Sequence, residues 1–86
     1  MNKYQKTPEK IVDLHGYTAQ EAKNLLDKIL VKMEYSHIRI ITGKCAYRPH
    51  GPVLMPFVKS YLQKKNIKFN PAKIQDGGEG ALEAYM

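Results

Sequence analysis

Two short β-branched runs, Lys10–Leu14 and His37–Thr42, flank a single capped amphipathic segment. Few topologies accommodate that pattern. Thr18-Ala19-Gln20-Glu21 reads as a capping box, in which the threonine hydroxyl accepts from the Glu21 amide and the Glu21 carboxylate reaches back. Ala22, Leu25, Leu26, Ile29, Leu30 and Met33 then recur at the spacing of one helical stripe, with Lys23, Asp27, Lys28 and Lys32 on the wet side. The spacing predicts a helix ending near Glu34. Strand, helix, strand is a βαβ unit, so the two strands should be parallel with a right-handed crossover. Both strand ends, Asp13–Gly16 and Thr42–Lys44, then share one carboxyl edge, where open α/β sheets bind their ligands.

The remainder extends the same pattern. Gly51-Pro52 opens a second helix, with Leu54, Phe57, Val58, Tyr61 and Leu62 as its apolar stripe and Lys59, Lys64 and Lys65 outward. Asn66 should end it. Ile67–Ile74 reads as a third strand, and Pro71 assigns it to an edge or a bulge. Asp76-Gly77-Gly78-Glu79-Gly80 is turn-rich and precedes a last strand, Ala81–Tyr85. The order is β-α-β-α-β-β in a single α/β domain over 10–86, two layers around one core, preceded by a flexible basic arm over 1–9. The longest apolar cluster is far short of a bilayer span, and the N-terminal residues lack the pattern of a secretory signal. With a single cysteine, Cys45, the chain reads as soluble and cytoplasmic.

Charge narrows the partners. The chain carries 14 Lys+Arg against 8 Asp+Glu. Residues 35–75 hold eight of the basic groups and no acidic one. Such a stretch suggests a positive face for nucleic acid or, failing that, a solvated basic surface.

Asp13 and His15 are two residues apart, so on a strand their side chains leave from one face while Val12 and Leu14 leave from the other. A carboxylate can orient an imidazole as a proton-transfer group. The same spacing also suits a purely structural pair, with Asp13 accepting backbone amides of the turn. Thr42-Gly43-Lys44 offers backbone amides and a cation to phosphate, though it lacks the rest of a P-loop. Tyr17 and Tyr47 lie in the loops beside the proposed edge, where they could stack on bases, while Tyr35, Tyr61 and Tyr85 read as core or rim. His15, His37 and His50 share no ligand spacing, so no structural zinc site is expected. Asp13 alone is open to a hard cation such as Mg²⁺.

Together these motifs resemble the Smr (small MutS-related) domain. The resemblance rests on Asp13-Leu14-His15-Gly16 with Thr18 and Glu21 behind it, on Thr42-Gly43-Lys44, on Gly51-Pro52-Val53-Leu54, and on Gly80-Ala81. It runs from about Lys10 to the end of the chain. It implies a β-α-β-α-β-β sandwich similar to the C-terminal domain of the third bacterial translation initiation factor. It also implies binding to DNA, branched or otherwise structured, or to structured RNA, with nicking endonuclease activity in many members. Asp13 and His15 then occupy the motif linked to activity. Gly16, Thr42, Gly43, Lys44, Tyr47, Arg48 and His50 are the nucleic-acid-binding candidates. The chain departs from the pattern at Cys45, where a glycine is usual, at Tyr47, where a histidine is common, and at Met55, where a basic residue is usual. Two alternatives therefore stand beside an endonuclease: a non-catalytic nucleic-acid-binding module, and a protein-interaction domain using its basic face.

Overall fold

The computed structural model describes residues 8–32, 34–43, 54–73 and 80–86. β1 (Lys10–Asp13) leads through a turn into α1 (Ala19–Val31), followed by β2 (His37–Ile41), α2 (Leu54–Lys64), β3 (Lys68–Pro71) and β4 (Ala81–Tyr85). The predicted order is the observed one. Elements end somewhat inside the predicted bounds: Leu14 and Thr42 fall just outside their strands, α1 stops three residues before Glu34, and β3 is shorter than Ile67–Ile74.

Local chemistry explains most of these ends. The capping box at the start of α1 is complete. Thr18 Oγ1 accepts from the Glu21 amide at 3.1 Å, and Glu21 Oε1 accepts from the Thr18 amide at 2.9 Å. Pro56 sits in the first turn of α2, where a missing amide leaves no intrahelical bond broken. After Lys64 the chain passes through Asn66 at φ 60, the left-handed conformation that asparagine tolerates and that stops a helix.

The sheet order is β1-β2-β4-β3. β1 and β2 pair in parallel, as the βαβ argument requires, with Asp13 opposite Ile41. β4 is antiparallel to both β2 and β3. β3 is thus an edge strand, which accommodates Pro71. One core lies between the sheet and the two helices. Val12 and Leu14, Ile38 and Ile40, and Leu82 and Ala84 from the sheet meet Ala22 and Leu26 of α1 and Leu54, Val58 and Leu62 of α2. Strand residues of alternate parity point to the other face: Asp13 and Ile41 share one row, and Arg39 and Glu83 share the next.

Two expectations change here. Glu9, placed in the arm over 1–9, is docked beside β2: its amide donates to the His37 carbonyl at 2.9 Å and its Oε1 accepts from the Ser36 amide at 2.6 Å. Residues 1–7 lie outside the described residues. Asp27, expected on the wet side of α1, is half-buried between the helices. Its Oδ2 accepts from Lys23 Nζ at 2.8 Å and its Oδ1 accepts from the Tyr61 hydroxyl at 2.5 Å. A helical wheel identifies the apolar stripe but not which polar neighbour of that stripe a second helix will reach.

The Asp27–Tyr61 pair should be visible in pH titration. The hydrogen bond from Lys23, and then that from Tyr61, hold the Asp27 carboxyl below the usual carboxylate range. Burial first, and Asp27 second, push the Tyr61 phenol above the usual tyrosine range. A lowered carboxyl stabilises the fold above its unfolded pKa, and this contribution is lost as pH falls through its folded value. A raised phenol stabilises below its unfolded pKa, and this contribution is lost as pH rises through its folded value. The expected result is one tyrosine that stays protonated in an ultraviolet titration where free tyrosines ionise, near pH 10. Tyr61→Phe should remove that late-titrating group, and Asp27→Asn should flatten the acid limb of the stability profile.

Candidate functional site

At the carboxyl edge of β1 and β2, three chain segments converge. The Leu14 amide donates to the Ile41 carbonyl at 2.7 Å, continuing the parallel ladder one residue past β1. The Thr42 and Gly43 amides both donate to the Gly80 carbonyl, at 2.7 and 3.0 Å. Because β4 is antiparallel to β2, its first residues come to this same edge. Gly80 therefore joins the site, a role that the turn-rich reading of 76–80 did not foresee.

His15 stands two residues past the end of β1 and is exposed. Its imidazole lies over the backbone of Gly43. A Cβ placed on Gly43 would stand 3.4 Å from His15 Cδ2. Gly43 has φ +82, a conformation that a side chain disfavours. Here the glycine serves two needs, a left-handed turn after β2 and room for the ring.

The Asp13–His15 hydrogen bond in the structure runs to the main chain. Asp13 Oδ1 accepts from the His15 amide at 2.9 Å, closing a two-residue turn of the kind aspartate favours. Asp13 therefore orients His15 through the backbone. Gly16, at φ +84, completes the turn, and a Cβ there would meet nothing within 4 Å. Tyr17 is half-buried and packs on the core, so part of the surface that base stacking would use is already covered.

Thr42 is fully buried. Its Oγ1 lies 3.3 Å from the Gly80 carbonyl and 3.4 Å from the Gly43 carbonyl. Its side chain therefore ties β2 to the start of β4, and any contribution to binding is through position. Lys44, Tyr47, Arg48 and His50, with Cys45, lie outside the described residues. Among the described residues no group of three or more His, Cys, Asp or Glu side chains could hold a metal ion. Asp13, with one oxygen already engaged by an amide, does not form a cation cage alone.

Arg39 also departs from the linear picture. It belongs to the acid-free stretch, yet its Nε donates to Glu83 Oε2 at 2.6 Å, and His37 Nε2 meets Glu83 Oε1 at 2.6 Å. His37 is also stacked on Tyr85, with ring centroids 4.6 Å apart. Glu83 comes from the acidic end of the chain, and strand pairing delivers it opposite Arg39. The Arg39 charge is thereby offset and subtracts from the expected positive face.

Gly43→Ala tests the contact beneath His15. The left-handed backbone alone costs a non-glycine residue about 1–2 kcal/mol, and in a domain of this size that corresponds to a melting-point loss of roughly 5–15 °C. Gly16→Ala carries the same backbone penalty but touches nothing. Only Gly43→Ala should also move the His15 ring, read from the shifts of its carbon-bound protons by NMR.

Comparison with known proteins identifies the family. A model of the Smr domain matches residues 12–86. The chain belongs to the Smr domain family. It is similar to the Smr domain of Thermus thermophilus MutS2, with TM-score 0.74 and 27% identity, over 88% of this chain and 95% of that one. The B3BP Smr domain superposes with TM-score 0.69 and 25% identity over 92% of this chain and 79% of that one. The human small-MutS related domain does so with TM-score 0.66 and 25% identity over 87% of this chain and 98% of that one. An uncharacterised protein of Treponema pallidum is 35% identical over 79 residues, 85% of this chain, which spans only 39% of that relative's length. No helix among the described residues is long and apolar enough to cross a membrane.

Proposed function

We propose that this chain is a nucleic-acid-binding domain whose contact surface includes the edge formed by Asp13–Gly16 and Thr42–Gly43, aided by the basic residues Lys44 and Arg48 that follow in sequence, and that His15 transfers a proton there in phosphodiester hydrolysis. One observation carries this reading: an exposed imidazole seated on a positive-φ glycine at the end of a parallel strand pair. Membership of the Smr family supports it. The absence of a side chain at Gly43 leaves room for the His15 ring, and the Thr42 and Gly43 amides are held by the Gly80 carbonyl rather than offered to a phosphate. In sequence, Lys44 and Arg48 follow at once, two cations suited to a phosphate gaining charge in the transition state.

The chemistry follows from those groups. Water attacks phosphorus, forming one P–O bond while the ester P–O bond breaks. His15 takes the water proton as base or supplies a proton to the leaving oxygen as acid. Asp13 keeps His15 in place through the turn.

The decisive assay incubates supercoiled plasmid and structured RNA with the protein, with and without Mg²⁺. Nicking by wild type that His15→Ala lacks is the expected result. Undiminished nicking by that variant, or none by wild type, removes His15 from catalysis.

A second reading is a binding module without catalysis, favoured by Cys45 and Tyr47 at the positions where the family usually carries glycine and histidine. It predicts no cleavage and an affinity whose log–log salt slope is about one per phosphate contact. Salt-insensitive binding in a titration against duplex and branched DNA counts against both readings.

A further inference from the structure

The end of α1 lies at the opposite edge of the sheet from His15. The helix leaves the His15 turn and runs back over the sheet, and the Met86 amide donates to the Ser36 carbonyl at 3.0 Å, joining the end of β4 to the start of β2. Here Val31 is 77% exposed, more than any other large hydrophobic side chain among the described residues. It forms the shared wall of two hollows. The larger, about 570 Å³, has Leu30, Ile67, Tyr85 and Met86 in its lining. The smaller, about 350 Å³, lies on the other side of Val31 against Ile29 and Tyr35. Joined apolar hollows with a polar rim are the signature of an interaction site.

The rim has a sign. Lys65 borders the larger hollow and Lys10, Lys28 and Lys32 the smaller. Lys10, Lys28 and Lys32 form no ion pair among the described residues, while Lys65 lies over the Tyr61 ring, 5.4 Å from its centroid, with its charge acting on Asp27. Asp27, also on the rim, has both oxygens engaged, by Tyr61 and Lys23. Glu34 is the one other carboxylate in the lining.

Nucleic acid would answer the lysines but not the hollows. Unpaired bases are held by free aromatic faces; here Tyr61 is bonded to Asp27 and Tyr85 is stacked on His37, and the most exposed apolar group is the aliphatic Val31. An acidic amphipathic protein segment answers both, its apolar side chains entering the hollows on either side of Val31 and its carboxylates meeting the rim. We propose that the C-terminal end of α1 is a docking surface for such a segment, with Val31 inserted between two of its apolar side chains. The two edges then act separately: a bound protein segment leaves the His15 edge open.

The test titrates the full chain with a synthetic amphipathic peptide carrying leucine at helical 3–4 spacing and glutamate elsewhere, followed by ¹H–¹⁵N NMR. A lysine-for-glutamate version and poly-glutamate are the comparisons. Saturable shifts centred on Val31, Ile67 and Met86 are expected for the glutamate–leucine peptide. Its affinity should fall at least tenfold in Val31→Glu and in Lys28→Glu/Lys32→Glu. All three substitutions are at exposed positions, and a thermal melt checks that each variant is folded. Four results overturn the proposal: no shift at these residues, equal binding of the lysine peptide, equal binding of poly-glutamate, or displacement of the peptide from this surface by duplex DNA. A concentration-dependent dimer in sedimentation, lost in Val31→Glu, would assign the surface to a second copy of the chain instead.

Discussion

Glu83→Ala is expected to destabilise the domain by about 3 kcal/mol, within the range for removing one partner of a buried ion pair. The corresponding melting-point loss is about 12–24 °C in a domain of this size. The Glu83 side chain is 10% exposed, and the His37 and Arg39 side chains are each 13% exposed. Both carboxylate oxygens are in use, at 2.6 Å from each partner. Truncation withdraws that carboxylate from a guanidinium and an imidazole with little access to water. The loss is therefore mainly the desolvation of groups left behind, not the intrinsic strength of the pair. That distinction is itself testable. Arg39→Met/Glu83→Leu removes charge and carboxylate together and should recover most of the loss, which a double-mutant cycle by denaturant unfolding would measure. If Glu83→Ala melts within a few degrees of wild type, the cluster is not a structural centre of the sheet.

His15→Ala should abolish cleavage while leaving the fold intact. General acid–base catalysis by a positioned side chain contributes about 10²–10⁴-fold, so nicking should drop by that factor. Stability should change little, because the ring is exposed and makes no hydrogen bond among the described residues. Affinity should also persist, since Lys44 and Arg48 are the residues proposed to meet phosphate. Asp13 then separates two roles. The bond it makes is to the His15 amide, and Asp13→Asn keeps an oxygen able to accept it. If Asp13 acts through the turn, Asp13→Asn nicks nearly as well as wild type and Asp13→Ala does not. Equal losses in both would mean that the negative charge beside His15 matters more than the turn. Single-turnover rates for the variants, measured alongside their melting points, distinguish these outcomes.

Much of the architecture was legible because its signals are local. The capping box over Thr18–Glu21, the apolar stripes of the two helices and the run Ala81–Tyr85 each declare an element within a few residues. The parallel pairing of β1 and β2 was equally accessible, because a strand–helix–strand connection has one favoured hand. That rule alone brings Asp13, His15 and Gly43 to a common edge. The ends of elements were less accessible: Leu14 and Thr42 have strand-like side chains, yet the strands end just before them and positive-φ glycines follow at Gly16 and Gly43. The surroundings of Asp27 were not accessible either, since they depend on where α2 lies against α1.

What the amino-acid order by itself determined, then, is the sequence of elements, the βαβ unit and the pair of residues at its edge. Only the tertiary structure decided that β4 runs between β2 and β3. No turn or periodicity signals that order, which places Leu82 and Ala84 in the one core shared with both helices. Its consequences are long-range. Gly80 arrives beneath Thr42 and Gly43 to hold the edge on which His15 sits. Glu83 arrives between Arg39 and His37, so a stretch with no acid of its own acquires one from the far end of the chain.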